Sequence, residues 1–230
     1  MKKVIDGDTI QLDNGQWVRY IGIDAPEVGQ YSGKKRVRKS DFLAEEAREF
    51  NRTLVAGKKV RLELDVEERD QYNRLLAYCF VDNLFVNALL LKKGYAYLMT
   101  IPPNVKYVDV FIESQRYARQ NKIGLWKDIP TIHLKDVKKH LNKIVRIEEV
   151  VSSVVQTPQL SMFFFKGFNF RVIIFKESYH FFQRQGISLA TFYKGKKIRV
   201  IGTIKRYKKN YEIIAGHPSD IEVLKNGKVK

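Results

Sequence analysis

Residues 4–27 read VIDGDTIQLDNGQWVRYIGIDAPE, and the middle of that stretch decides how it folds. Asn14-Gly15, following Asp13, signals a tight turn, because Asn and Gly accept the positive φ that short hairpin turns impose. Val4 to Leu12 and Gln16 to Ile23 are therefore read as two antiparallel strands. Folding back at this turn brings Asp6-Gly7-Asp8-Thr9 towards Asp24-Ala25-Pro26-Glu27, with Arg19 between them. Such a gathering of hard oxygen donors suits Ca²⁺ or Mg²⁺. The stretch is no EF-hand loop, since Gln11 stands where that loop needs Gly and Trp17 where it needs a bidentate Glu, so any ligands must come from different segments. Read alone, Asp-Gly-Asp is usually a solvated turn.

Downstream of a polar, basic stretch from Val28 to Lys39, Ser40 is placed to cap a helix. Leu43, Ala47, Phe50 and Leu54 form one face of that helix, which ends before Gly57. Strands are expected at 59–68 and 75–81, followed by helices over Val86 to Lys93 and Asp109 to Gln120. Strands, helix, strands, helices in this order make an α+β domain rather than a wound βαβ one. Gly124 and Pro130 punctuate its end, and we divide the chain into 1–130 and 131–230.

The 230 residues include 42 Lys plus Arg against 25 Asp plus Glu, a net charge of +17, with 44% apolar residues. That is too apolar for a disordered tail and too basic for an indifferent surface. Residues 1–130 hold 22 basic and 18 acidic residues and 131–230 hold 20 and 7, so the smaller part carries most of the positive field. One cysteine, Cys79, excludes an intrachain disulfide and a multi-thiolate zinc site, and the four histidines have no metal-ligand spacing. No apolar run approaches the roughly 18 residues of a membrane span. Met1-Lys2-Lys3 leads into Val4 without an apolar leader segment, so we expect a soluble chain that is not exported or has lost its leader.

Arg74 follows Glu67-Glu68-Arg69-Asp70-Gln71-Tyr72-Asn73. Arg19 and Arg74 beside a cation are what phosphodiester hydrolysis needs, because guanidinium forks neutralise the oxygens of a pentacoordinate phosphorus. Taken singly, each is an ordinary surface ion-pair residue.

Ile5-Asp6-Gly7-Asp8-Thr9, Arg19-Tyr20-Ile21-Gly22-Ile23-Asp24-Ala25-Pro26-Glu27, Asp70 to Tyr78, Val86-Asn87 and Gly124-Leu125-Trp126 together resemble the staphylococcal nuclease (thermonuclease) family, in order and spacing over about residues 4–127. The resemblance implies a five-stranded OB-type barrel with three helices, and Ca²⁺-dependent phosphodiesterase activity on DNA and RNA. It implies one Ca²⁺ held by Asp8, Asp24 and the carbonyl of Ala25. Glu27 would activate water, Arg19 and Arg74 would bind the phosphate, and Tyr72 would hydrogen-bond beside it. The products would carry 3′-phosphate and 5′-hydroxyl ends. Ala25 replaces a frequent Thr, which a backbone ligand tolerates, Gln71 replaces a frequent basic residue, and only Met1 to Val4 precede the first motif. A secreted or cell-envelope location is also implied, with a cytoplasmic one as the alternative. The competing class is a catalytically silent two-barrel binding protein.

In 131–230 we expect a helix from Leu134 to Leu141. Strands are expected over Ile144 to Val155, Phe168 to Phe175, Lys197 to Tyr207, Tyr211 to Ala215 and Ile221 to Leu224, with a helix over Ser178 to Gln185. This suits a second, small OB-like β-barrel. Tyr193 to Tyr211 contains eight basic residues and no acidic one. Lys194, Lys196, Lys197, Lys205, Arg206, Lys208 and Lys209 would track phosphates, with Tyr193, Tyr207 and Tyr211 as stacking faces. A basic edge strand kept soluble by lysine is the bland alternative. The excess of charge favours DNA or RNA as partner. A protein-interaction module is a third reading, although nothing calls for an obligate protein partner. Alternation makes Phe168, Phe170 and Val172 core residues, while some of Phe163 to Phe165 are candidates for exposure.

Overall fold

The computed structural model describes residues 1–32, 35–38 and 40–224, with backbone alone for 30–32 and 35–38. The chain divides into two compact units between Asp128 and Ile129.

In the first unit β1 (Lys3–Val4), β2 (Thr9–Gln11) and β3 (Trp17–Tyr20) form a meander. The register of β2 on β3 sets Thr9 opposite Arg19 and Ile10 opposite Val18. The Leu12 N–H donates to the Gln16 carbonyl at 2.9 Å and so closes the turn around Asp13-Asn14-Gly15, in which Gly15 alone takes positive φ, at 86°. Next come β4 (Ile23–Asp24), β5 (Gln30–Ser32), β6 (Lys35–Arg38), α1 (Ala44–Val55), β7 (Arg61–Glu63), β8 (Leu75–Val81), β9 (Leu84–Phe85), α2 (Val86–Lys92), β10 (Tyr97–Leu98) and α3 (Val108–Gln120). The main sheet runs β1-β2-β3-β8-β7 with β9 on β8, and β10 pairs with β4 in a separate ribbon. Ile10, Val18, Tyr20, Tyr78, Leu90, Leu91 and Phe111 fill its core, each such side chain stabilising by about 1.5–3 kcal/mol relative to exposure.

Several expectations shift. The polar, basic stretch from Val28 to Lys39, for which no element was expected, contains the β5–β6 ribbon; its residues 33, 34 and 39 lie outside the described ones. Helix α1 starts four residues after Ser40, and its N-cap Leu43 makes no side-chain cap bond. Ser40 Oγ accepts the Gly29 N–H instead, and Asp41 accepts the Glu27 N–H. The expected cap is thus engaged in holding the loop that carries the second acidic cluster. The helix buries Ala44, Ala47, Asn51 and Val55, with Phe50 and Leu54 packed beside them. Strand β1 is short but paired, Val4 lying opposite Ile10.

The second unit contains β11 (Thr131–Ile132), β12 (Ile144–Val150), β13 (Ser153–Gln156), β14 (Leu160–Phe164), β15 (Phe170–Phe175), α4 (Tyr179–Arg184), β16 (Lys197–Thr203), β17 (Lys205–Tyr207), β18 (Asn210–Ile214) and β19 (Ile221–Val223). A 3₁₀ helix over Leu134–His140 takes the place of the first expected helix. The strands pair as a four-stranded sheet, β11-β12-β16-β19, and a five-stranded one, β13-β14-β15-β18-β17. Among the described residues the strand pairings of neither unit close into a barrel. The long strand expected from Ile144 breaks at Val151-Ser152, and the one from Lys197 breaks at Ile204, where the chain leaves one sheet for the other. Strand β14 was not anticipated, because fully buried Ser161, bonded to the Tyr179 hydroxyl at 3.0 Å, hides its alternation.

Candidate active site

Asp8 lies just before β2 and opposite the end of β3, where its carbonyl accepts the Tyr20 N–H at 2.9 Å. Gly7 beside it is required, since a Cβ there would sit 2.6 Å from Ala25 Cβ and 3.0 Å from Ala47 Cβ. That close approach lets α1 and the loop after β4 press onto the acidic turn. The Asp6 side chain accepts the Asp8 N–H at 3.0 Å, a bond that shapes the turn. Asn51 of α1 accepts from the Tyr20 hydroxyl at 3.1 Å and donates to the Asp6 carbonyl at 3.1 Å.

Arg19 draws the two acidic clusters together. Its Nη1 is 2.8 Å from Asp8 Oδ2 and its Nη2 is 2.9 Å from Asp24 Oδ1. Nη1 also donates to the Ile23 carbonyl at 2.9 Å. Asp8 is only 4% exposed, and its Oδ2 accepts the Ala25 N–H at 2.6 Å. Burial pushes the Asp8 carboxyl well above the usual carboxylate range, against the opposing pull of Arg19. A buried carboxylate in this state gains from a stronger counter-charge.

Arg19 also lines a cleft of about 350 Å³ with Asp70, Tyr72, Arg74, Met99 and Asn104. Asp70 organises one wall: its Oδ1 accepts the backbone N–H groups of Tyr72 at 2.9 Å and Arg74 at 3.0 Å. Its Oδ2 takes Arg74 Nε at 2.7 Å. Burial raises the Asp70 carboxyl, but the Arg74 and Tyr72 bonds outweigh it and hold the group below its ordinary range. The Arg74 guanidinium stands 5.5 Å from the Tyr72 ring centroid. Asn104 bonds the Glu67 backbone in both directions, at 2.8 and 2.7 Å, and so fixes the opposite wall.

The fold therefore assembles Asp8, Arg19, Asp24 and Ala25 into one hydrogen-bonded set, and Arg19, Tyr72 and Arg74 around one cleft. Glu27 is exposed and does not line the cleft; its backbone N–H and carbonyl are tied to Asp41. Among the described residues no three His, Cys, Asp or Glu side chains gather at ligand distance. An ion here would hold two carboxylates and complete its shell with carbonyls, substrate and water, a donor set that fits a hard divalent cation. The sequence reading passed over Asn51 and Asn104, and it quoted Asp70 and Asn87 only as members of the family motifs, with no role of their own. Asn87, fully buried, accepts the Cys79 N–H and donates to the Ile21 carbonyl, each at 2.9 Å. Asn51 shows in the sequence only as an amide in the otherwise apolar buried stripe of α1.

In the second unit the basic residues do not form one patch. Lys194, Lys196 and Lys197 stand at the start of β16, and Lys205 to Lys209 beyond its end. At about 3.3 Å per extended residue, the two groups are separated by up to roughly 25 Å. Tyr193 is buried against Phe163 and Phe192 and offers no stacking face, and Tyr211 is half-buried. Phe163 and Phe165 are buried and Phe164 half-buried, whereas Phe168, expected in the core, is exposed. Phe168 precedes β15, on the turn, so the alternation of the strand does not reach it.

Residues 17–128 match the model of a family described as staphylococcal nuclease homologue. The chain is 37% identical over 131 residues to the SPbeta prophage-derived endonuclease YokF of Bacillus subtilis, covering 55% of this chain and 43% of that protein. It is 38% identical over 131 residues to endonuclease YncB of the same organism, covering 60% of it. It is 35% identical over 130 residues to the thermonuclease of Staphylococcus intermedius, covering 74% of it. The chain thus matches less than two thirds of the length of the two Bacillus relatives. With 74% of a thermonuclease matched at 35% identity, and with the bridging arginine and the arginine-lined cleft lying within residues 17–128, the chain belongs to the staphylococcal nuclease homologue family.

Proposed function

We propose that the first unit is a Ca²⁺-dependent endonuclease acting on DNA and RNA, and that the second unit holds the nucleic acid. The observation that carries the reading is the Arg19 bridge between Asp8 and Asp24 at the edge of a cleft that Arg74 and Tyr72 also line. Two relatives named endonuclease and one named thermonuclease support it.

Asp8, Asp24 and the Ala25 carbonyl would hold the ion, which supplies Lewis-acid stabilisation of phosphoryl oxygens when bound. Asp70 keeps Arg74 turned to the cleft by gripping Nε, leaving the far side of the guanidinium for a phosphate. Arg19 faces the same phosphate from the other wall, and Tyr72 hydrogen-bonds beside it. Glu27, three residues after Asp24 and outside the cleft lining, would swing its exposed side chain towards the ion to take the proton of an attacking water as the water oxygen bonds to phosphorus. The P–O5′ bond breaks, and the proton goes to the departing 5′-oxygen, leaving 3′-phosphate and 5′-hydroxyl ends.

For the second unit we propose an OB-like arrangement left open between its two sheets, whose described strand pairings do not close. β12 runs on into β13 and β16 into β17, so the two sheets share two bent strands, and β15 lies parallel to β18. Its basic residues supply the phosphate contacts.

The test is cleavage of single-stranded and duplex DNA and of RNA by the purified chain with Ca²⁺ and with EDTA, reading end groups, beside Asp24→Ala. Ca²⁺-dependent cleavage to 3′-phosphates that vanishes in the variant is expected. Binding without cleavage by the unaltered chain would overturn the enzymatic reading and leave a nucleic-acid binder.

A further inference from the structure

Two turns of the second unit are fastened side by side. One joins β14 to β15 through Phe165 to Asn169, and the other joins β17 to β18 through Lys208-Lys209. Because β15 and β18 are parallel, with Phe170 opposite Tyr211, both turns emerge at the same end of the sheet. Asn169 Nδ2 donates to the Lys209 carbonyl, and the Tyr211 N–H donates to the Asn169 carbonyl at 3.2 Å. The joined turns expose Lys166, Phe168, Tyr207, Lys208 and Lys209 together.

Phe168 is 40% and Tyr207 52% exposed. Rings held out on ordered turns, rather than folded into the core, offer flat apolar faces to a partner. Lys208 Nζ and Arg171 Cζ each stand 5.6 Å from the Tyr207 centroid, so cations flank that ring. The nearby acid, Glu212, is bound by Arg171 at 2.8 and 3.0 Å and does not cancel the lysines. Lys166 lies outside the continuous basic run of the sequence and joins it only through the pairing of β15 with β18.

We propose that this two-turn patch binds an unpaired stretch of single-stranded nucleic acid, with bases stacked on Phe168 and Tyr207 and flanking phosphates on Lys166, Lys208 and Lys209. The inference rests on the reading that the second unit holds nucleic acid, and adds where it does so and which strand form it takes. A duplex keeps its base faces inside its own stack and presents only phosphates to such rings. An unpaired strand presents both, and a base on an aromatic ring is sequence-tolerant because every base has a π-face.

The experiment measures binding of the full chain, with EDTA to block hydrolysis, to a labelled oligothymidylate of about 12 nucleotides and to a hairpin duplex, by anisotropy across a salt series. Phe168→Ala with Tyr207→Ala is expected to weaken single-strand binding at least tenfold, change duplex binding less than twofold and leave the salt slope intact. Lys166→Gln with Lys208→Gln and Lys209→Gln is expected to flatten the single-strand slope by about 2. Phe168→Trp, which keeps the ring, is expected to bind as the unaltered chain does and to have its emission quenched by the oligonucleotide. Equal losses for both strand forms, or none in the double variant, would overturn the site. If binding ignores these changes but falls with Lys194→Gln, Lys196→Gln and Lys197→Gln, the two-turn site fails and nucleic-acid binding by the second unit stands. If binding ignores both sets, both readings fall.

Discussion

The charged residues of the first unit converge, whereas those of the second spread. Asp8, Arg19 and Asp24 come from either side of one hairpin and are held on two nitrogens of a single guanidinium, with Asp8 buried. In the basic run of the second unit, Lys194, Lys196 and Lys197 stand at one end of β16 and Lys205, Lys208 and Lys209 beyond the other, all of them exposed except the half-buried Lys196. Burial makes each member of the first set depend on the others, because a lone desolvated charge is costly. Exposure makes each member of the second set weak, screened and replaceable. Chemistry at one phosphorus atom requires the first arrangement, and holding a long polyanion requires only the second.

The contrast breaks most readily at the convergent site. Arg74→Ala or Glu27→Gln is expected to lower hydrolysis by on the order of 10²–10³, with single-strand binding in EDTA unchanged. Cleavage rates within a few-fold of the unaltered chain would remove these residues from the chemistry. Asn51→Ala strips partners from the Tyr20 hydroxyl and the Asp6 carbonyl. It is expected to cost about 1–3 kcal/mol in urea unfolding and to lower cleavage through the loosened Asp6–Asp8 turn. At the dispersed site, Lys194→Gln alone is expected to reduce the salt slope of binding by no more than about 1, with unfolding midpoints unmoved. A tenfold loss there would mean that the second unit has a focus of its own.

Acid sharpens the same comparison. Asp70 titrates below its ordinary range in the folded chain, so its contribution is complete above the unfolded value of about 3.9 and is lost as pH falls through the lower folded value. Asp70→Asn is expected to make the low-pH fall in melting temperature shallower; an unchanged profile would detach Asp70 from the Arg74 wall. The smallest effect concerns Cys79, fully buried, whose thiol burial pushes up to about 11. A disulfide reagent at pH 8 is expected to leave it unmodified until the chain unfolds. Rapid native-state reaction would show that this core opens.

Much of the first unit was legible because its signals are local. Asp13-Asn14-Gly15 announces a turn, and α2 and α3 begin and end within a residue of where apolar spacing and Gly94 set them. Helix α1 was misplaced at its start because Ser40 and Asp41 bond backward to Gly29 and Glu27, contacts between segments that no local pattern reveals. Strand β14 was missed because its inward face includes a serine satisfied only by a distant tyrosine.

The sequence by itself determined the hairpin, the spacing of the acidic and arginine motifs, and the imbalance of charge between the two units, since each depends on residue identity and short-range backbone preference. Tertiary structure alone decided that one arginine would clasp both aspartates, that Asn51 and Asp70 would hold the site, and that Asn169 would tie the turn carrying Lys166 and Phe168 to the turn that follows Tyr207. Those juxtapositions depend on which strands pair and how closely α1 approaches Gly7, and such long-range packing is set by the whole fold rather than by any stretch of neighbouring residues.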